Sequence, residues 1–281
     1  MSTAILERLA TITRRTGPRG IHRVLRWICS PKRADGHFTG TTAYRDGLRM
    51  CVDTRDHIEW HLFFYGEYEG DVGRVLKMIT SSQQVVIDVG ANVGVYTLPL
   101  SRHAAQVLAV EPNPRVAERL DRNLRLNNID NVTVVRCALS NDVGESKLFV
   151  PCEAVHNCGM SSLHGHSQHG GSIRVDRRRL DDVVRAECLR RVDFIKIDTE
   201  GHEFGVLLGA EGTLRMHLPT LLFEFDPDLW TNGRFEYDEC ARWLTSIGYV
   251  MPPKPDRATN VLAVPSTDQR RHQSSLTETA E

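Results

Sequence analysis

The chain has 281 residues, enough to bury a sizeable core as one large domain with additions. Its 35 basic and 36 acidic residues leave a formal charge of −1, which excludes the global basic excess expected of a nucleic-acid binder. Seven scattered cysteines, an odd number, speak against a disulfide framework and for a reducing, cytoplasmic setting; no apolar run approaches the roughly 20 residues that span a bilayer.

Residues 1–33 hold eight Lys or Arg against a single Glu, with Ile21, Leu25 and Ile28 at helical spacing beside Trp27. Two readings stand: an amphipathic helix in weak contact with an anionic membrane surface, or a short helix capping the main domain. Residues 31–40 read as a linker. Thr41 to Asp53 reads as a hairpin turning at Asp46-Gly47. Tyr65 to Glu69 then leads into a helix over Asp71–Met78.

The stretch Val85 to Thr97, Val-Val-Ile-Asp-Val-Gly-Ala-Asn-Val-Gly-Val-Tyr-Thr, organises the rest. Its β-branched residues predict a short buried strand, and Gly90 and Gly94 let the chain turn tightly into a helix over Val93–Arg102. Exposed amides at such a turn suit a small polar ligand, and Asp88 at the strand end suits an ammonium. The third glycine of a dinucleotide fingerprint is missing. Gln106–Val110 forms a second strand, ending at Glu111, about 20 residues after the turn, where a carboxylate can chelate two ribose hydroxyls. Asn92 lies inside the turn and Thr97 just after it.

This pattern resembles motifs I and II of class I S-adenosylmethionine-dependent methyltransferases. Further on, Ile195-Lys-Ile-Asp-Thr-Glu-Gly201 and Leu221-Leu-Phe-Glu-Phe225 resemble the FkbM-type family, over roughly Tyr65 to Pro227. The resemblance implies methyl transfer, commonly to an oxygen of a sugar or polyketide-like product. It also places Glu69 near the cofactor; a solvated surface acid is the alternative.

Strand, helix, strand, helix alternates onward through Pro114–Leu126 and Val132–Val135, which predicts an α/β fold. The expected architecture is a doubly wound, mostly parallel Rossmann-like sheet with an antiparallel terminal strand and an N-terminal helical and hairpin extension. Expected boundaries are 1–80 for the extension and cap, 81–265 for the cofactor-binding domain and 266–281 for a disordered tail. Ligands then lie beyond the carboxyl ends of the strands, where Asp88, Glu111 and Ala138 fall, with Ala138 to Ser140 passing the adenine edge. Ser146–Val150 and Ser172–Val175 flank a Gly-, Ser- and His-rich stretch over 151–171, read as a lid. Its Cys152, His156, Cys158, His164, His166 and His169 are zinc-type ligands, but their spacing matches no familiar knuckle.

Asp198 ends the strand Val192–Ile197 and is followed by Glu200, Gly201, His202 and Glu203. Glu224 sits inside the apolar run of the next strand and needs a helper: a metal, a substrate, Lys196 or His202. Asp198, His202 and Glu224 are the candidate catalytic residues, and His202 carries the only ordinary pKa suited to a general base. A second scheme puts magnesium or another hard divalent cation on Asp198, Glu224 and Asp226. Trp60, Tyr65, Trp230 and Trp243 are candidates for stacking on sugar rings. Tyr237–Ile247 reads as an amphipathic helix, and Tyr249–Met251 with Asn260–Val264 as the closing antiparallel pair.

The expected acceptor is a small molecule or glycan bearing a hydroxyl; the Asn/Asp-Pro-Pro-aromatic signature of nitrogen-directed enzymes is absent at Asp198-Thr-Glu-Gly. Nucleic acid is not expected as a partner, and a homo-oligomer is allowed. Two rival functions share these features: an NAD-dependent oxidoreductase and a non-catalytic S-adenosylmethionine-binding protein.

Overall fold

A computed structural model describes residues 3–16, 25, 37–68, 75, 81–151, 158–165 and 169–266. Among these, the central feature is a seven-stranded sheet. In chain order it uses β3 (Val85–Val89), β4 (Gln106–Val110), β5 (Val132–Val135), β9 (Phe194–Ile197), β10 (Thr220–Phe225), β11 (Tyr249–Val250) and β12 (Thr259–Pro265), arranged β11-β12-β10-β9-β3-β4-β5. Pairing is parallel from β10 to β5, and β12 joins β10 antiparallel, as the sequence predicts. The chain winds outward from β3 through β4 to β5 and resumes on the other side at β9, so the switch of direction falls between β3 and β9.

The two-residue period of the strands separates two cores. Val86, Val107 and Phe194 face one apolar cluster; Ile87, Leu108 and Ile195 face the other. The second face is covered by α5 (Leu180–Ala186), α6 (Glu203–Leu208), α7 (Glu211–His217) and α9 (Tyr237–Ser246), which contribute Val183, Phe204, Leu214 and Leu244. Trp230, on α8 (Pro227–Asn232), belongs to the same cluster.

The first face is shared with the N-terminal elements: α1 (Thr3–Thr16), the hairpin β1 (Thr39–Ala43) with β2 (Arg49–Asp53), and α2 (His57–Tyr65). Leu6, Met50, Trp60 and Phe64 pack in one cluster with Val86 and with Leu120 of α4 (Pro114–Leu126). Helix α2 was not apparent from the sequence because it is buried nearly all round, at Ile58, Glu59, Trp60, Leu62, Phe63 and Phe64, and so has no amphipathic period. Its ends are chemically marked: Asp56 accepts from the Ile58 and Glu59 N–H groups, and Gly66 closes it at φ 75°. The hairpin turns at Asp46 and Gly47, both left-handed, where the dipeptide predicts it. The helix expected over 93–102 is shorter, α3 (Thr97–Ser101), because the residues from Gly90 to Tyr96 form an irregular turn.

Helix α1 is fastened to this face. Arg14 donates to the carbonyls of Leu62, Phe63 and Ala43 and to Thr42 Oγ1, at 2.7–3.1 Å, while Leu6, Ala10 and Thr13 are buried. These contacts make α1 a cap on the main domain. The expected helices around Ile21–Ile28 and over 71–78 lie outside the described residues apart from Leu25 and Val75, both buried. No described helix is long and apolar enough to cross a membrane. Arg14→Ala leaves several carbonyls short of a donor and is expected to destabilise the protein by about 2 kcal/mol, read as a shift of the urea midpoint. An unchanged midpoint would show that α1 adds nothing to stability.

A second, three-stranded sheet, ordered β6-β8-β7, uses β6 (Ala138–Leu139), β7 (Gly144–Pro151) and β8 (His169–Arg178). The antiparallel β7 and β8 carry between them a short described segment, residues 158–165, anchored where Phe149 and Ser162 exchange backbone hydrogen bonds.

Candidate active site

The carboxyl ends of β3, β4, β9 and β10 open onto one cleft of roughly 1000 Å³, its mouth included. Gly90, Asn92, Glu111, Ala138, Asp198, His202 and Glu224 line it, so topology collects residues up to 134 positions apart. Lys196, Thr199 and Glu200 join them from β9 and the loop after it, and Cys137 from the link that follows β5. Ile58 and Tyr68 enter from the N-terminal side, and Leu148, Ser161 and Leu163 from the small sheet and its segment. The described part of the lid therefore does border the cleft; residues 152–157 and 166–168 lie outside the described residues, as does Glu69.

The glycine turn is shaped by a close approach of two loops. Gly90 has φ 76°, and a Cβ there would stand 1.8 Å from the carbonyl oxygen of Asp198. Asn92 is also left-handed, at φ 51°, with its side-chain oxygen accepting from the Val93 N–H. Its own N–H donates to Glu111 Oε2 at 3.0 Å, and the Asn113 N–H donates to Oε1 at 2.9 Å. Burial pushes the Glu111 carboxyl up to about 7 against these two hydrogen bonds.

Asp88 is placed differently from expectation. It is fully buried behind the cleft wall, where Thr97 Oγ1 donates to its Oδ2 at 2.6 Å and Lys196 Nζ lies 3.8 Å from Oδ1. Burial raises its pKa, with Lys196 and Thr97 opposing the shift. Both of its oxygens thus face protein groups, and neither Asp88, Gly94 nor Thr97 lines the cleft. Gly94 instead packs between Leu98 and Leu120, whose methyl carbons would lie 2.3 and 2.8 Å from a Cβ.

Lys196 connects Asp88 to the cleft. Its ammonium donates to Asp198 Oδ2 at 3.0 Å and sits 4.4 Å above the Tyr96 ring. Burial alone would lower its pKa, but Asp198 and Asp88 together carry it upward, so it stays protonated. Sequence reading offered Lys196 only as a helper for Glu224; the pairing of strands gives it to the two aspartates.

The turn after Asp198 is held from below. Glu203, buried, accepts from the Thr199 and Gly201 N–H groups at 2.7 and 3.2 Å, across Glu200 and Gly201, which have φ of 54° and 96°. From above, Ser162 Oγ donates to the Glu200 carbonyl at 2.7 Å.

His202 does not keep the pKa that recommended it as a base. It is buried, with Nε2 3.0 Å from Ser140 Oγ and Nδ1 2.9 Å from His164 Nε2. Both ring nitrogens of His202 are therefore engaged by protein groups, Nε2 by the Ser140 hydroxyl and Nδ1 by the His164 ring. Burial first, then His164 and Arg177, pushes His202 down to about 3. Such a group stays neutral at working pH and has little affinity for a hydroxyl proton.

A depressed histidine pKa also has a stability signature. Between about 3 and the ordinary 6.5 the unfolded chain binds more protons at this position than the folded one, so this contribution is lost as pH falls below 6.5. His202→Asn is therefore expected to lower the melting temperature at pH 7.5 and to narrow its gap to wild type at pH 5. A gap that stays constant would contradict a buried neutral His202.

The three-acid metal site is not assembled. Asp226 caps α8, accepting from the Asp228 and Leu229 N–H groups, and does not line the cleft. Asp198 is occupied by an ammonium, which competes with any cation. Among the described residues no group of three or more His, Cys, Asp or Glu is placed to hold a metal. Glu224 borders the cleft, half-buried near the end of β10. The tryptophans are displaced as well: Trp60 and Trp230 are core residues at 1% exposure, and Tyr68 and Tyr96 are the cleft aromatics.

The chain is similar to several known proteins. The chain is 32% identical over 161 residues to Methyltransferase sdnD of Sordaria araneosa, covering 46% of this chain and 61% of that protein. It is 31% identical over 147 residues to the hexuronic acid methyltransferase AglP of Haloferax volcanii, covering 52% of this chain and 58% of that one. The chain thus spans about three fifths of these relatives. A crystal structure of Methyltransferase FkbM from Methylobacillus flagellatus aligns with a TM-score of 0.45 and 22% identity, over 66% of this chain and 44% of its own. The methyltransferase FkbM domain model matches residues 88–251, more than half of the chain, from Asp88 through β11. The match spans both strand-end loops of the cleft, and the chain belongs to the FkbM-domain methyltransferase family.

Proposed function

We propose that this methyltransferase draws its methyl group from S-adenosylmethionine and delivers it to a hydroxyl oxygen of a sugar or related natural product. The observation that carries the reading is that the Gly90 turn, Glu111 and Asp198 open onto one cleft. The residues fit the cofactor. Gly90 leaves no side chain between the turn and the Asp198 loop, and each Glu111 oxygen accepts a single backbone N–H, which leaves lone pairs for a ribose diol. Ala138 borders the same cleft beyond Glu111 and would face the base. When bound, S-adenosylmethionine supplies an electrophilic methyl group on a positively charged sulfur.

The chain's own residues then align the acceptor and accept its proton. Alignment falls to the cleft wall, which includes Tyr68, Ser161 and Leu163. Asp198 takes the proton that the hydroxyl loses as the carbon–oxygen bond forms; it reaches the cleft, and Lys196 is too firmly protonated to serve. The sugar class is supported by the hexuronic acid relative and by the lack of the nitrogen-directed signature after Ile197. Membership of a methyltransferase family displaces the oxidoreductase alternative.

Calorimetric titration with S-adenosylhomocysteine and, separately, NADH tests the cofactor. S-adenosylhomocysteine alone is expected to bind, and Glu111→Ala to weaken it about tenfold or more. Because ribose hydroxyls need the charged carboxylate, binding should tighten as pH rises through about 7, and this dependence should vanish in Glu111→Ala. Tritium transfer from labelled S-adenosylmethionine to methyl glycosides of neutral hexoses and hexuronic acids tests the acceptor. Binding without transfer to any of them would favour the non-catalytic alternative; NADH binding alone would overturn the reading.

A further inference from the structure

We infer that Lys196 is a positioning residue for the methyl transfer proposed above: its ammonium locks one oxygen of the Asp198 carboxylate and leaves the other for the acceptor hydroxyl. The inference rests on the reading of Asp198 as proton acceptor, and begins from strand register. Asp88 and Lys196 are paired Cα neighbours on parallel β3 and β9, on the face that Val86 and Phe194 otherwise make apolar. A lysine on such a face needs an anion, and Asp88 would suffice for that purpose.

The ammonium is not centred on Asp88. It lies 3.8 Å from the fully buried Asp88 and 3.0 Å from Asp198, whose side chain is 29% exposed. The shorter, hydrogen-bonded contact thus goes to the acid that reaches the cleft. Asp198 Oδ2 is engaged by Lys196, and its Oδ1 accepts from no described group. The Tyr96 ring beneath the ammonium and the Thr97 hydroxyl on Asp88 fix the other sides of the cluster. A cation so held restricts the carboxylate to one rotation. The carboxylate is thus oriented before the acceptor arrives.

Lys196→Met alone leaves two carboxylates facing each other and is expected to fold poorly, so the decisive variant is Lys196→Met combined with Asp88→Asn, which removes one charge of each sign. Carbon-13 NMR of labelled aspartates at one pH, with the Asp198 resonance identified by its loss in Asp198→Asn, is expected to show a single sharp carboxyl resonance in wild type and a displaced or broadened one in the double variant. Turnover on the best methyl glycoside should fall at least tenfold, with S-adenosylhomocysteine affinity within threefold of wild type. An Asp198 resonance unchanged in the double variant overturns the inference, as does turnover within threefold of wild type, which would leave Lys196 a mere counterion for Asp88. If wild type methylates no glycoside, the acceptor reading fails while the carboxyl resonance still decides the role of Lys196.

Discussion

Asp198→Asn is expected to lower methyl transfer by roughly 10²- to 10⁴-fold, the range associated with removing a positioned general base, while S-adenosylhomocysteine binding changes by less than about threefold. The asymmetry follows from position. Asp198 ends β9 and reaches the cleft through its side chain, whereas the features suited to the nucleoside, Glu111 and the Gly90 turn, belong to β4 and β3. Asparagine keeps the volume and can still pair with Lys196 through its side-chain oxygen, but it cannot take a proton. The measurement is single-turnover methyl transfer beside a calorimetric titration. Turnover within fivefold of wild type would remove Asp198 from the chemistry and direct attention to Glu200 and Glu224, which also line the cleft.

Gly90→Ala carries the largest expected cost to the fold. Its Cβ would lie 1.8 Å from the Asp198 carbonyl oxygen, a backbone atom that cannot rotate away, and φ of 76° is unfavourable for alanine. Either the β3 turn or the β9 loop must move, at a cost of about 2–4 kcal/mol, or roughly 5–15 °C in melting temperature. Because the displaced carbonyl belongs to Asp198, S-adenosylhomocysteine binding and turnover should both fall. Gly171→Ala, with no heavy atom within 4 Å of the new methyl, is the control and should melt within about a degree of wild type. Gly94→Ala should fall between them, since it meets the ends of two leucine side chains that can shift, although its φ of 99° adds strain. Equal melting temperatures for Gly90→Ala and Gly171→Ala would mean that the two loops do not make the close approach described.

Sequence by itself determined the parallel sheet, its order of strands along the chain and the closing antiparallel pair, because each depends on local periodicity and on turn residues read within a short window. It also determined that Asp88 and Glu111 stand at the carboxyl ends of successive parallel strands, since a βαβ unit places consecutive strand ends on one edge. It could not show helix α2, whose residues are buried on every side, nor that Leu6, Trp60 and Val86 share one core. Partnerships lay beyond it as well. Asp88 has the residue type for binding an ammonium, and the ammonium that tertiary structure supplies is the chain's own Lys196, 108 positions later. Asp226 has the type of a metal ligand and is spent on capping α8. His202 has the ordinary pKa of a base until the fold buries it against His164 and Ser140 and lowers it to about 3. Residue type and spacing state which interactions a side chain can make; which one it does make is set by distance and desolvation, and those exist only once the chain is folded.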